Sequence, residues 1–191
     1  MAAIIEATGI KALHEIDGAF KSLGIEYFII QGTCLGAYRD KKFVYGDKDI
    51  DFGVKHEDIK DKCTSLATIL STLGYKCKFE DKPFDYPRGI HATKRWCPGG
   101  KVRIDICDFV LNEKDNKRFS VNYRRNYCIV HPAYRFENMQ EIEFYGLKVK
   151  VPTPTEGYLI KEYGGTWYTP DPACTTSKSR VYGYWSRHVK Q

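Results

Sequence analysis

The chain has 191 residues, 42% hydrophobic and 28% charged, with a formal net charge of +6. That length carries one domain with a real core and is thin for two, and the composition excludes a disordered chain. No apolar run nears the ~18 residues of a membrane span, and no block of like charge forms a nucleic-acid-binding tail; the basic excess fits an anionic ligand (a nucleotide, a phosphate or nucleic acid) or simply a solvated basic surface.

Residues 3–23 are predicted to form a helix, because Leu13, Ile16, Phe20 and Leu23 recur at spacings of three and four and Gly24 supplies a stop. Residues 25–30 form a nearly continuous apolar run, predicted as a central strand covered on both faces. Gln31-Gly-Thr-Cys-Leu-Gly36 follows as a small-residue turn of the kind that lets backbone amides approach a phosphate. Beyond Arg39, Lys41 and Lys42 comes Asp47-Lys-Asp-Ile-Asp-Phe-Gly-Val54, predicted as the next strand.

A second helix is predicted over residues 56–73 and a strand over 75–80. The Pro- and Gly-rich stretch 81–100 reads as a loop with a short strand near 89–95, and residues 101–110 as a strand. A turn is expected at 112–117 and one strand across 118–130. Alternation on both sides of Tyr145-Gly146 predicts a hairpin. Thr153-Pro-Thr-Glu156 matches a capping box before a short helix that Gly164 stops. Residues 166–191 have no assignable element. Residues 1–191 thus read as a single α+β domain.

The seven Cys are odd in number and contain no C-x-x-C pair, which argues for reduced thiols rather than a disulfide framework. Met1-Ala-Ala-Ile-Ile-Glu6 lacks the basic and apolar regions of a leader peptide. A cytoplasmic protein without an encoded membrane anchor is expected. Scattered Cys128, His131 and Cys97 leave a zinc site open, without the close spacing that usually marks one.

The chemistry concentrates in the carboxylates. Residues two apart in a strand share a face, so Asp49 and Asp51 project together while Ile50 and Phe52 point the other way. Two adjacent carboxylates repel unless a counter-charge joins them, and a divalent cation bridging to phosphate oxygens is one such charge. An exposed pair on an edge strand is the competing reading, but the apolar continuation Phe52-Gly-Val54 favours a buried strand. In Val102-Arg-Ile-Asp-Ile-Cys-Asp108, the alternation puts Arg103, Asp105 and Cys107 on one face. Asp105, mid-strand among apolar neighbours, is the third candidate; Asp108 is a weaker one that would mark the strand's end.

Three separated blocks resemble the LicD and fukutin family. Gly32-Thr-Cys-Leu-Gly-Ala-Tyr-Arg39 followed by Phe43 and Asp47-Lys-Asp-Ile-Asp51 is similar to that family's G-T/S-x-L-G-x-x-R turn and acidic run. Val102-Arg-Ile-Asp-Ile106 resembles its next carboxylate strand, and Tyr163-Gly-Gly-Thr-Trp-Tyr-Thr-Pro170 its C-terminal segment. Two departures stand out: Lys48 replaces the family's middle Asp, and Gly46 replaces its Trp.

The resemblance implies a nucleotidyltransferase-type fold, a short mixed sheet flanked by helices. It implies transfer of a phosphocholine- or ribitol-phosphate-type group from a CDP-linked donor to a glycan hydroxyl. It also implies that Asp49, Asp51 and Asp105 hold Mg²⁺ or Mn²⁺. In this reading Gly32, Thr33 and Gly36 cradle a donor phosphate and Arg39 adds a charged contact, unless it pairs instead with Asp40 or Asp47. Asp105 is either a third ligand or the general base. Trp167, with Tyr168 and Tyr163, would stack on base or sugar, or simply pack. Arg88 and His91 are loop candidates for substrate contact. The alternatives are a nucleotidyltransferase that moves NMP from an NTP to a small acceptor, and a non-catalytic nucleotide-binding module.

Overall fold

The computed structural model describes residues 6–79, 90–97, 100–122 and 127–170. Helix α1 (Glu6–Ser22) leads to strand β1 (Tyr27–Ile29), and helix α2 (Gln31–Leu35) runs straight into a π-helical turn (Gly36–Asp40). Strand β2 (Ile50–Lys55) is followed by α3 (His56–Ile59), α4 (Cys63–Thr72), β3 (Lys76–Phe79), β4 (Ile90–Cys97) and β5 (Gly100–Asn112). Then come β6 (Lys117–Asn122), β7 (Tyr127–Pro132), β8 (Gln140–Phe144), β9 (Leu147–Val151) and α5 (Thr155–Tyr163).

Seven strands lie side by side in the order β3-β4-β5-β2-β1-β9-β8, and the β6–β7 hairpin continues from the far part of β5. The sheet is mixed. Strands β2 and β5 are parallel, as are β1 and β9, while β1–β2 and the hairpin neighbours are antiparallel. This is the α+β architecture expected, a mixed sheet flanked by helices.

The centre of the sheet is where the apolar runs lie. All of β1 and the first five residues of β2 are buried, as strands covered on both faces must be. Pairing sets Tyr27 against Val54, Phe28 against Gly53 and Ile29 against Phe52. On one face, Phe20 of α1 stacks on Tyr27 at 4.9 Å and meets Phe52 edge-on at 5.6 Å. On the other, Phe28 packs against Phe109 and Phe136 at 5.7 and 5.0 Å. Gly53 makes that possible, since a Cβ there would lie 2.2 Å from the Phe28 ring.

Four local expectations need correction. The helix over 56–73 is two helices. Lys60-Asp61-Lys62 offers the core nothing to pack and closes as a turn, with the Lys62 amide donating to the Ile59 carbonyl at 2.8 Å. The strand over 118–130 is the hairpin β6–β7, in which Phe119 faces Val130; the polar run 122–126 interrupts the alternation. Asp108 does not end its strand. Strand β2 pairs with β5 as far as Phe109, and β6 takes over the ladder from Val110 to Asn112.

The capping box does not form either. Pro154 stands at the cap position of α5, the Thr153 hydroxyl accepts the Gln140 amide at 2.9 Å, and the Thr155 hydroxyl donates to the Pro152 carbonyl. The hairpin at Tyr145-Gly146 is as expected: both residues have positive φ, the tight-turn geometry that pairs Phe144 with Leu147. Arg88 lies outside the described residues, as do the side chains of His91, Cys97 and Cys128.

Candidate metal centre

Asp51 is the second residue of β2 and stands directly beside Asp105 in the parallel register. Partners in register point to the same side of a sheet, so both carboxylates emerge from one face. Their neighbours Ile50 and Ile104 pair on the opposite face and are fully buried. Asp49 precedes the strand by one residue and joins them. One ligand oxygen from each of Asp49, Asp51 and Asp105 lies within 4.8 Å of the others. Asp51 is buried and the other two are half-buried, whereas Lys48, just before Asp49, is exposed.

The main chain of Asp51 is held on both sides. Its amide donates to the Thr33 hydroxyl at 2.8 Å, and its carbonyl accepts the Ile30 amide at 3.2 Å. Thr33 is itself buried. The hydroxyl expected to meet a phosphate therefore positions the acidic strand.

The rest of that segment is also engaged internally. It is helical rather than an open turn, because the Cys34 amide donates to the Ile30 carbonyl at 3.0 Å from the first residue onward. Gln31 enters it with φ at +49°, which swings its amide onto the Tyr158 hydroxyl at 2.9 Å. A Cβ on Gly32 would fall 2.4 Å from the Asp47 carboxylate, and one on Gly36 would fall 2.4 Å from the Lys42 carbonyl. Both glycines permit close packing of the segment that leads to Asp49. Arg39 forms a two-pronged pair with Asp40, at 2.8 and 2.7 Å, and donates to the Trp167 carbonyl at 3.0 Å. Trp167 is half-buried beside Tyr38, ring centres 5.9 Å apart.

Arg103 is the residue that sequence reasoning left without a role. It lies two before Asp105 on the same strand face, ion-pairs with Asp49 and reaches Asp105 at 3.3 Å. The alternation had placed it on that face, and its spacing from Asp105 was the available signal.

Two further polar pairs lie outside this cluster. His131, a zinc candidate by sequence, is fully buried, holds Glu162 at 3.0 Å and packs on Tyr158 at 4.9 Å. Burial keeps its imidazole below the ordinary value, against the pull of Glu162. Asp108 lies on the face opposite Asp105 and meets His56 Nδ1 at 3.0 Å. The only group of three or more candidate metal-binding side chains found among the described residues is Asp49, Asp51 and Asp105.

A mixed sheet whose two adjacent parallel strands gather a D-x-D pair and a third Asp on one face defines a nucleotidyltransferase-type domain. Residues 24–154 match the model of the family described as LicD/FKTN/FKRP, nucleotidyltransferase domain, and the chain belongs to that family.

Among curated relatives, a mouse (Mus musculus) protein named ribitol-5-phosphate transferase FKTN is 28% identical over 153 residues, covering 78% of this chain and 31% of that protein. The Homo sapiens protein of that name is also 28% identical, with 78% and 30% covered. An uncharacterized protein of Rickettsia prowazekii is 26% identical over 145 residues, 73% of this chain and 47% of that one. The chain thus spans about a third of the length of its fukutin relatives. Similar solved structures include ANT(2")-Ia in complex with adenylyl-2"-tobramycin, at 15% identity and TM-score 0.46, covering 82% of this chain and 74% of that one. A nucleotidyltransferase-like protein from Paracoccidioides brasiliensis aligns at 18% identity and TM-score 0.41, covering 80% and 64%. No helix among the described residues is long and apolar enough to cross a membrane.

Proposed function

We propose that the chain is a metal-dependent transferase that moves a phospho-alcohol or phospho-sugar group, of the phosphocholine or ribitol phosphate type, from a CDP-linked donor to a glycan hydroxyl. The observation that carries this reading is the Asp49–Asp51–Asp105 cluster, three carboxylates with oxygens within 4.8 Å. The donor set fits a hard divalent ion: all oxygen and all anionic. When bound, Mg²⁺ or Mn²⁺ would neutralise the donor pyrophosphate and make its phosphorus more electrophilic.

The chain's own residues supply the rest. Thr33 fixes the main chain of Asp51 and so the carboxylate it carries. Asp105 holds the cation or takes the proton of the acceptor hydroxyl as its oxygen bonds to the phosphorus next to the alcohol and CMP leaves. Gly32 and Gly36 let the segment before Asp49 pack closely, Arg39 ties it to the Trp167 carbonyl, and Trp167 beside Tyr38 would stack on base or sugar. The name of the fukutin relatives supports a ribitol phosphate type of group. Cys34, Cys63, Cys77 and Cys107 form no disulfide, which suits a reducing compartment such as the cytoplasm.

A thermal-shift screen with Mn²⁺ tests the reading, using CDP-ribitol, CDP-choline, NDP-sugars and NTPs. The expected result is Mn²⁺-dependent stabilisation by a CDP-alcohol and CMP release when a glycan acceptor is added. Preference for an NTP over every CDP compound would point to NMP transfer instead. No response to Mn²⁺, unchanged by Asp49→Asn with Asp51→Asn, would sink both.

A further inference from the structure

We infer that Arg103 is the internal counter-ion of the carboxylate cluster, displaced by the divalent cation, and that its freed guanidinium then binds a phosphate oxygen of the donor. This rests on the metal-dependent reading above and adds to it a side-chain contact to the donor phosphate.

Three observations carry it. Arg103 pairs with Asp49 and with Asp105, two of the three carboxylates a cation would use. A cation and a guanidinium repel one another, so the two compete for the same carboxylates. The stem of Arg103 starts two residues before Asp105 on the same strand face, so a displaced head group stays beside the site. Finally, Arg103 Nε is buried and has no hydrogen-bond partner among the described residues. A buried donor without an acceptor is costly, and the present pairing leaves it so.

A phosphate oxygen remedies this. A guanidinium presents donors in a planar fork that matches phosphate, and an anionic diphosphate brings acceptor oxygens to the place where the carboxylates are relinquished. The other expected phosphate contact, Arg39, is already paired with Asp40 and the Trp167 carbonyl. Arg103 also gives the site an order: the cation loads first and readies the guanidinium, and the donor follows.

The test compares wild type with Arg103→Met and Arg103→Lys in two titrations, Mn²⁺ alone and CDP at saturating Mn²⁺. Arg103→Met is expected to bind Mn²⁺ several-fold more tightly, because its competitor is gone. It should bind CDP about tenfold more weakly, the scale of one lost charge-assisted contact. Arg103→Lys should fall between. In wild type, the side-chain Nε–H resonance of Arg103 should move during a Mg²⁺ titration with the same half-saturation as the thermal shift, which keeps the test open if Arg103→Met does not fold. Equal or weaker Mn²⁺ binding in Arg103→Met, unchanged CDP binding, or an Nε–H resonance that ignores Mg²⁺ overturns the inference. The functional reading survives those results as long as wild type binds Mn²⁺ and Asp51→Asn abolishes it; if wild type binds no Mn²⁺, both fall.

Discussion

Strand β5 carries two carboxylates three residues apart, and the sheet gives them opposite surroundings. Asp105 joins Asp49 and Asp51 on a face that stays partly open, where Arg103 pairs with Asp49 and Asp105. Asp108 is buried on the other face, beside Val54 in the ladder and hydrogen-bonded to the His56 imidazole. One carboxylate belongs to a group of three; the other is hydrogen-bonded to an imidazole. Unbalanced negative charge gathered on rigid strands is what a cation site needs, and a paired, buried carboxylate is what holds two elements together. The difference lies in parity, since an odd step along a strand changes the face.

The sharpest way to break this contrast is to neutralise each carboxylate in turn. Asp105→Asn, like Asp51→Asn, should lower Mn²⁺ affinity and transfer by at least about a hundredfold, because changes one shell further out already reach that scale. Its unfolding free energy should move by no more than about 1 kcal/mol, since the substitution also relieves repulsion among like charges. Asp108→Ala should do the opposite. Removing a buried hydrogen-bonded carboxylate should destabilise the fold by about 2 kcal/mol, read by urea denaturation, with Mn²⁺ affinity unchanged. If Asp108→Ala weakened Mn²⁺ binding as much as Asp105→Asn, the two faces would not be separate.

Much of this contrast is legible in the amino-acid sequence. The alternation in residues 102–108 separated Asp105 from Asp108 and put Arg103 beside the former, and the apolar runs placed β1 and β2 at the centre. What escaped was what a side chain does for a residue far along the chain. Thr33 and Asp51 are 18 residues apart, and nothing local says that one hydroxyl receives the other's amide. The same holds for Gly36, whose missing Cβ makes room for the backbone of the loop at Lys42. A Gly-Thr-x-Leu-Gly segment after a buried strand reads equally well as a phosphate cradle and as a tightly packed helix start. Only the tertiary partners distinguish the two. The boundaries missed at Lys60–Lys62 and near Asn122 are interruptions of a periodic pattern by polar residues, which periodicity alone spans too readily.

The role of Thr33 sharpens the open side of the comparison. If it positions Asp51 rather than touching donor phosphate, Thr33→Val should reduce Mn²⁺ affinity about tenfold in the absence of any nucleotide. The same substitution strands a buried amide, which should destabilise the fold by about 1–2 kcal/mol. Thr33→Ser, which keeps the hydroxyl, should restore Mn²⁺ affinity. A phosphate contact would give another pattern: Mn²⁺ binding intact in Thr33→Val, and CDP binding at saturating Mn²⁺ reduced.

The closed side has a smaller signature, visible in pH. The hydrogen bond to Asp108, assisted by the charges of Asp108 and Glu57, raises the His56 imidazole above its ordinary 6.5 even though partial burial opposes it. A group whose pKa is higher folded than unfolded adds stability below the unfolded value and loses it as pH rises through the folded one. The thermal midpoint should therefore fall between about pH 6 and pH 8 by roughly one or two degrees, the scale of a partly exposed pair in a chain of this size. His56→Gln should flatten that slope, as should Asp108→Asn, because each removes one member of the pair. Asp105→Asn should leave it intact, since Asp105 lies across the sheet from the imidazole. A slope that vanished in Asp105→Asn and persisted in Asp108→Asn would mean that the titrating charge answers to the metal cluster, and the division of β5 into a binding face and a structural face would have to be redrawn.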